Sequence, residues 1–314
     1  MCNRISSLVE SYLSYKHRLG FQMTPEAIYL RSFAQYTEEI HYNGPLSRAI
    51  VFQWCERGDS PSLVTKGRRY EPFAAFSDYA VAFDEASEQL LRRPYGNPHR
   101  RKRPHIYTLE ETCLLMEQSS HLHAPDGLRS LTVRTAIGLL WATGMRTSEL
   151  IGLAPPDVDC ANDLIIIRSS KFNRDRIIPV LPVVSEQLSQ YRSQIKEIVT
   201  ASAFQSSFFL TTGGKPLNRS AFEYAFRLIR SVIDASDSDY RYARLYDFRH
   251  TYATRTVRNW LKSSEDANAK LFLLSTYLGH VHIEDTYWYL SATPELLDLS
   301  SGLYEKQFGG VSNG

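Results

Sequence analysis

The chain has 314 residues, 43% hydrophobic and 22% charged, with 36 Lys and Arg against 34 Asp and Glu. That length is enough for two domains with a sizeable core in at least one, and a net charge of +2 does not by itself announce a nucleic-acid binder. No apolar run approaches the roughly 18–20 residues of a membrane span, the polar start MCNRISSLVESYLSYKHRLG has no signal-peptide core, and the scattered Cys2, Cys55, Cys113 and Cys160 form no CxxC pair, so they read as free thiols of a reducing, intracellular compartment.

In chain order, Ile5, Leu8, Val9, Tyr12 and Leu13 recur at helical spacing and Gly20 is placed to end that helix. Thr24-Pro25, a cap followed by proline at the first helical position, opens a second helix through Phe33 and Tyr36. Ser47 begins a third, and SLVTKGRRYEPFAAFSDYAVAFDE supplies a fourth helical stretch, so that residues 1–92 form a four-helix bundle. Residues 92–105, RRPYGNPHRRKRPH, hold six Lys or Arg, two His, three Pro and one Gly. Proline and glycine make this an extended linker, assigned to 93–105. Its Arg92, Arg93, Arg100, Arg101, Lys102 and Arg103 can track phosphates or form a solvated charge run.

Past the linker, Thr108-Leu109-Glu110-Glu111 is a capping box that starts a new helix, and residues 127–143 are helical up to Gly144. The period then changes. LIIIRSS (164–170) and RIIPVLP (176–182) are β-branched runs joined by KFNRD as a hairpin, and a short strand SFFLT precedes the TGGKP turn. Helix resumes at Ser220, with Glu223 at capping-box spacing, and Thr293-Pro294-Glu295 opens a last helix. The expected architecture is mainly α: an all-α N-terminal domain, the linker, and an α+β domain over 106–314 carrying a small antiparallel sheet.

Metal and nucleophile motifs are poor. His121/His123 and His280/His282 lack a carboxylate or cysteine at ligand spacing, and HExxH, Walker, GxGxxG and GxSxG patterns are missing. Four stretches remain. ATGMRTSEL sets Arg146 after Gly144 with Glu149 three residues on; SSKFNRDR puts Lys171 in the hairpin turn; LYDFRHTYATR puts Arg249 and His250 at a helix start with Asp247 as its cap; YLGHVHIEDTYWYL puts His280 after a helix-stopping glycine. Singly, each has a dull explanation: a surface ion pair worth a few tenths of a kcal/mol, a solvated lysine, a core tyrosine.

In this order and wording they resemble the tyrosine recombinase (integrase) family over about Ile106 to Leu297: TGMRTSEL, FRHTYAT, and LGH followed nine residues after its histidine by Tyr289. The resemblance implies a core-binding N-terminal domain and a catalytic domain. Arg146 and Arg249 would clamp the phosphate, with planar guanidinium suited to it. Lys171 would act as general acid on the leaving 5′ oxygen, His280 would hydrogen-bond the phosphate, and Tyr289 would be the nucleophile. Tyr287 is then a packing or neighbouring-DNA residue, and Glu149 fixes the Arg146 neighbourhood. One position departs: the first histidine of HxxR is Tyr246, whose phenol ordinarily titrates near about 10 and is a poor base at neutral pH. His250 matches the family's Arg-His pair and is read as structural first.

The resemblance also implies double-stranded DNA as partner, no cofactor and no metal, no membrane, a homotetramer on two DNA sites that can include related recombinases, and a cytoplasmic, nucleoid-associated setting. The two-domain organisation, without the arm-binding domain of many phage integrases, and the wording DTYWYLSATPELL lie nearest transposon-borne members, which favours mobile-element integration or excision. The final helix has an apolar face (Leu296, Leu297, Leu299, Leu303, Phe308) that can dock on a neighbouring protomer or pack on its own domain. Two other readings differ in class or outcome: a catalytically impaired DNA-binding accessory subunit with Tyr246 as its lesion, and a type IB topoisomerase, which would relax supercoils as a lone monomer.

Overall fold

The computed structural model describes residues 4–59, 61–98, 103–168, 175–234, 236, 242–263, 267–280, 282 and 285–286. The chain divides into two compact units, Met1–Arg101 and Lys102–Gly314, the division falling within the basic segment. Lys171, Tyr287, Tyr289, Arg100, Arg101, Lys102 and the expected last helix lie outside the described residues.

The first unit is helical: α1 (Arg4–Arg18), α2 (Thr24–Glu39), α3 (Arg48–Cys55), α4 (Leu63–Tyr70) and α5 (Phe73–Phe83). The fourth stretch expected from sequence is therefore two helices. Pro72 sits between them, and without an N–H it cannot donate to the carbonyl four residues back. The apolar spacing of α1 buries Ile5, Val9, Tyr12 and Leu13 on one face, and Gly20, at φ +85°, turns the chain after it. The core is built from rings: Phe33 meets Phe73 edge-on at 4.9 Å and Trp54 at 5.8 Å, and Tyr12 meets Phe76 at 5.4 Å.

The second unit holds α6 (Leu109–Gln118), α7 (Leu128–Thr143), α8 (Thr147–Ile151), β1 (Val158–Asp159), β2 (Leu164–Ile167), β3 (Arg176–Pro179), α9 (Pro182–Lys196), α10 (Ala201–Ser206), β4 (Leu210–Thr211), β5 (Lys215–Pro216), α11 (Arg219–Ile229), α12 (Asp247–Lys262) and α13 (Ala267–Leu278). Its main core gathers on α7, through Val133, Ala136, Ile137, Leu139 and Leu140, with Ile165, Ile178, Leu188, Phe222 and Phe248 against it. The fold is thus mostly helical with a small antiparallel sheet.

The Thr108 box forms as the spacing predicts: Thr108 Oγ1 accepts the Glu111 N–H and Glu111 Oε2 accepts the Thr108 N–H. β2 and β3 pair antiparallel, Ile165 opposite Ile178, and a third strand, β1, flanks β2. Period-2 alternation puts Ile165 and Ile167 inside. Three starts differ from the sequence expectation. Met23, at φ +51°, holds the cap position of α2, so Thr24 is its first residue and Pro25 its second. Asn218 caps α11, its Oδ1 accepting the Ala221 N–H, so Ser220 lies inside the helix. Asp247 is the first residue of α12 rather than its cap: its buried carboxylate turns back to the Arg244 N–H and guanidinium. Among the described residues no helix is long and apolar enough to cross a membrane, and no group of three or more His, Cys, Asp or Glu side chains could hold a metal ion.

Candidate phosphate site at two helix C-termini

Two helices end on glycines in the left-handed region. α7 stops at Gly144, φ +60°, and α13 runs out through Gly279, φ +69°. A helix C-terminus leaves carbonyls without intrahelical partners and carries partial negative charge. Here those carbonyls are met by arginines. Tyr277 O accepts from Arg176 Nε at 2.9 Å, Leu278 O from Arg249 Nη2 at 2.6 Å, and Gly279 O from Arg146 Nη2 at 2.9 Å. Gly144 O accepts from Arg249 Nη1 at 3.1 Å. Three consecutive carbonyls and a fourth from α7 thus gather three guanidinium groups that lie far apart in sequence.

Each arginine arrives from a different element. Arg146 precedes α8 and follows the α7 stop; its backbone N–H is taken by Glu149 Oε2 and its Nη1 by Glu149 Oε1. Arg249 lies in the first turn of α12 and is only 1% exposed, so its charge is held by backbone dipoles in a desolvated setting. Arg176 opens β3 and grips both oxygens of Glu149, Nη1 to Oε1 at 2.9 Å and Nη2 to Oε2 at 2.7 Å. Burial alone would raise the Glu149 carboxyl, but the fork from Arg176 and the bonds from Arg146 hold it down at about 2.

Gly144 is fixed twice over. Its positive φ suits glycine, and an added Cβ would come within 2.7 Å of Tyr252 Cβ and Cγ. The close approach of α12 to the α7 stop is what lets Arg249 reach Gly144 O. The segment before α12 is secured by Tyr107, which stacks on Phe248 at 4.1 Å, donates its N–H to Thr251 Oγ1, and donates its hydroxyl to Arg244 O.

His280 follows Gly279 directly. Its N–H donates to Ser275 O at 3.0 Å, and Nδ1 lies 2.8 Å from the Oγ1 of Thr286, which is fully buried. Burial first, then the charges of Arg249 and Arg146, push the imidazole down to about 3, with Asp285 opposing. The ring is therefore neutral at physiological pH and offers hydrogen bonds rather than charge. Tyr246, in the turn before α12, is half-exposed, and its ring sits edge-on to that of buried His250 at 5.2 Å.

Of the residues singled out by sequence, Arg146, Arg249 and His280 are brought together, with Tyr246 one turn from Arg249 on α12. Arg92 and Arg93 belong to the first unit, where with Tyr70, Glu71 and Tyr95 they line a cavity of about 330 Å³. Arg103 belongs to the second unit and is exposed. The sequence reading missed Arg176. Its one signal was a charged residue opening a β-branched strand, which ordinarily means an edge position.

Chemically, two guanidinium groups, Arg146 and Arg176, share one strongly acidic carboxylate, and a third, Arg249, is held on backbone carbonyls beside a neutral imidazole. Such a site is set to receive an anion with several oxygens, phosphate above all.

The Phage integrase family matches residues 108–295, well over half of the chain. A Sinorhizobium fredii protein, y4rE, whose name puts it among integrases and recombinases, is 29% identical, with 93% of this chain and 93% of that protein covered. The tyrosine recombinase XerD of Staphylococcus aureus is also 29% identical, over 91% of this chain and 94% of its own length. Among solved structures, the Tn1549 transposon integrase in complex with transposon right end DNA aligns with a TM-score of 0.63 at 15% identity, covering 96% of this chain and 98% of that one, a likeness of fold.

Proposed function

Because the chain belongs to the phage integrase family, whose curated relatives include tyrosine recombinases, we propose that it is a site-specific DNA recombinase that cuts and rejoins DNA through a 3′-phosphotyrosine. The observation that carries the proposal is the convergence of Arg146, Arg249 and His280 on the carbonyls of residues 278, 279 and 144 and on Thr286. It pre-assembles the donors a phosphodiester needs as charge builds on its non-bridging oxygens.

In the proposed reaction the Tyr289 hydroxyl oxygen attacks the scissile phosphorus as its proton passes to solvent. A phosphorus–tyrosine bond forms, the bond from phosphorus to the 5′ oxygen breaks, and Lys171 supplies the proton that the leaving oxygen takes. Arg146 and Arg249 bind the non-bridging oxygens, and neutral His280 donates a hydrogen bond to the phosphate. Tyr246 can donate its hydroxyl hydrogen at the position of the family's histidine. The reverse attack by a 5′ hydroxyl of a second strand rejoins DNA and frees Tyr289. Phosphotyrosine keeps the energy of the broken ester, so joining is nearly isoenergetic with cutting.

In this reading residues 1–92 bind the core DNA site, the basic residues of 93–105 contact phosphates, and residues 106–314 form the catalytic domain. Four protomers act on two sites, and the element served is a mobile one, by integration or excision. Support for the last point is the fold likeness to the Tn1549 integrase together with the wording of residues 285–297.

The test uses a nicked suicide DNA site taken from sequence flanking the gene. Wild type and Tyr287→Phe are expected to trap a covalent protein–DNA adduct, and Tyr289→Phe none. Clear DNA binding with no adduct in wild type would favour an accessory DNA-binding subunit instead.

A further inference from the structure

Glu149 poses a problem for an anion site. A carboxylate 2.7 Å from Arg146 Nη1 offsets the charge that a phosphate would need. The structure resolves it through a residue outside the expected set. Arg176 takes both oxygens of Glu149 in a fork, the geometry in which guanidinium binds carboxylate best. Its remaining ring of contacts is equally specific: Nε donates to Tyr277 O, and the guanidinium lies flat against Gly279, where an added Cβ would meet Nη1 at 3.0 Å and Cζ at 3.2 Å.

One side chain on β3 therefore fixes two things, the Glu149 carboxylate and the Gly279 turn that leads into His280. It holds the carboxylate that orients Arg146, and it braces the turn whose Gly279 O takes Arg146 Nη2. Arg176 is itself 11% exposed at the side chain, against 20% for Arg146, so Arg146 is the one left facing outward.

We infer that Arg176 is a positioning residue for Arg146: it absorbs the charge of Glu149 and pins the Gly279 turn, so that the outward N–H groups of Arg146 stay available to an anionic oxygen. The inference rests on the recombinase reading only for the identity of that anion, a DNA phosphodiester. Removing Arg176 while Glu149 remains should turn the carboxylate into a competitor for Arg146. Removing both charges together should relieve it.

The experiment compares wild type, Arg176→Gln, Arg176→Lys and the double variant Glu149→Gln/Arg176→Gln, each first checked for a cooperative melt. Two readouts are taken: affinity for inorganic phosphate by calorimetry, and the rate of adduct trapping on the suicide site. Arg176→Gln is expected to bind phosphate about fivefold more weakly than wild type and to trap adduct about 100-fold more slowly. The double variant should recover phosphate affinity to within about twofold, since the offending charge is gone. Arg176→Lys keeps the charge and loses the fork; it should hold phosphate affinity within about twofold of wild type and trap about tenfold more slowly. A purely structural brace would make the double variant no better than Arg176→Gln.

Unchanged phosphate affinity in Arg176→Gln, or no recovery in the double variant, overturns the inference. If Arg176→Gln does not fold, Arg176→Lys and the double variant carry the same comparison against wild type. Absence of adduct in wild type with the phosphate pattern intact would sink the recombinase reading and leave this one standing.

Discussion

The two compact units spend their interiors differently. Among the described residues, the first unit encloses rings, Phe33, Phe73, Phe76 and Tyr12, and its one buried charged side chain is Asp84, paired with Arg4. The second encloses Arg249 at 1% exposure and Asp247 at 0%, and holds Glu149 and His280 well away from their usual protonation behaviour. Ring packing returns stability for each area buried. Buried charge does not, because desolvation consumes most of the attraction. In the proposed function, the charges gathered around the Gly144 and Gly279 turns are kept at that cost for chemistry.

That contrast predicts different responses to damage. Short of Tyr289→Phe, which should abolish trapping, the largest effect on reaction should come from Arg249→Ala, which leaves Gly144 O and Leu278 O unmet and, in the proposed reaction, removes a phosphate donor; trapping of adduct should fall about 1000-fold, measured at DNA concentrations that saturate binding. In the first unit Phe33→Ala should act on stability instead, costing about 3–5 kcal/mol in a denaturant titration while leaving the trapping rate of folded, DNA-bound protein near wild type. Comparable loss of chemistry from Phe33→Ala would break the contrast.

Two glycines sharpen it on a smaller scale. Gly20 and Gly144 both have positive φ, but a Cβ on Gly20 meets nothing within 4 Å, whereas on Gly144 it strikes Tyr252. Gly20→Ala should therefore cost about 1 kcal/mol, the backbone term alone, and Gly144→Ala about 2–4 kcal/mol once overpacking is added. Equal costs by chemical denaturation would show that Tyr252 gives way freely.

The most diffuse effect is in acid. The Glu149 carboxyl sits at about 2 in the fold against an ordinary 4.5, so the stability it adds is present above 4.5 and lost as pH falls toward 2. His280, lowered from 6.5 to about 3, binds a proton more readily when unfolded, so stability also falls as pH drops from 6.5 toward 3. Glu149→Gln should flatten the lower window by roughly 1–3 kcal/mol and leave the slope between 6.5 and 4.5 in place. A variant whose acid profile overlays wild type below 4.5 would contradict the Arg176–Glu149–Arg146 arrangement.

How much of this was legible in the sequence follows from where the information sits. The Thr108–Glu111 box, the stops at Gly144 and Gly279, and the antiparallel pairing of β2 with β3 depend on neighbours in the chain, and all appear as the spacing predicts. The split at Pro72, the strand β1 of two residues, and the true cap Asn218 turn on single local choices that periodicity does not weigh. Arg176 was illegible for a stronger reason. Its partners are Glu149, 27 residues away, and the carbonyl of Tyr277, 101 residues away, and a backbone carbonyl leaves no mark on residue type. The same holds for Arg249 and Arg146: the motif names them, but only the fold shows that helix ends are what gather them.

The central claim is that this chain joins itself to DNA through one particular tyrosine. The most direct measurement is to digest the trapped adduct to a short nucleotide stub and map it on the protein by mass spectrometry. The account predicts a 3′-linked phosphate on Tyr289, with Tyr287 unmodified. A stub on Tyr287, or linkage through a 5′ phosphate, would contradict it.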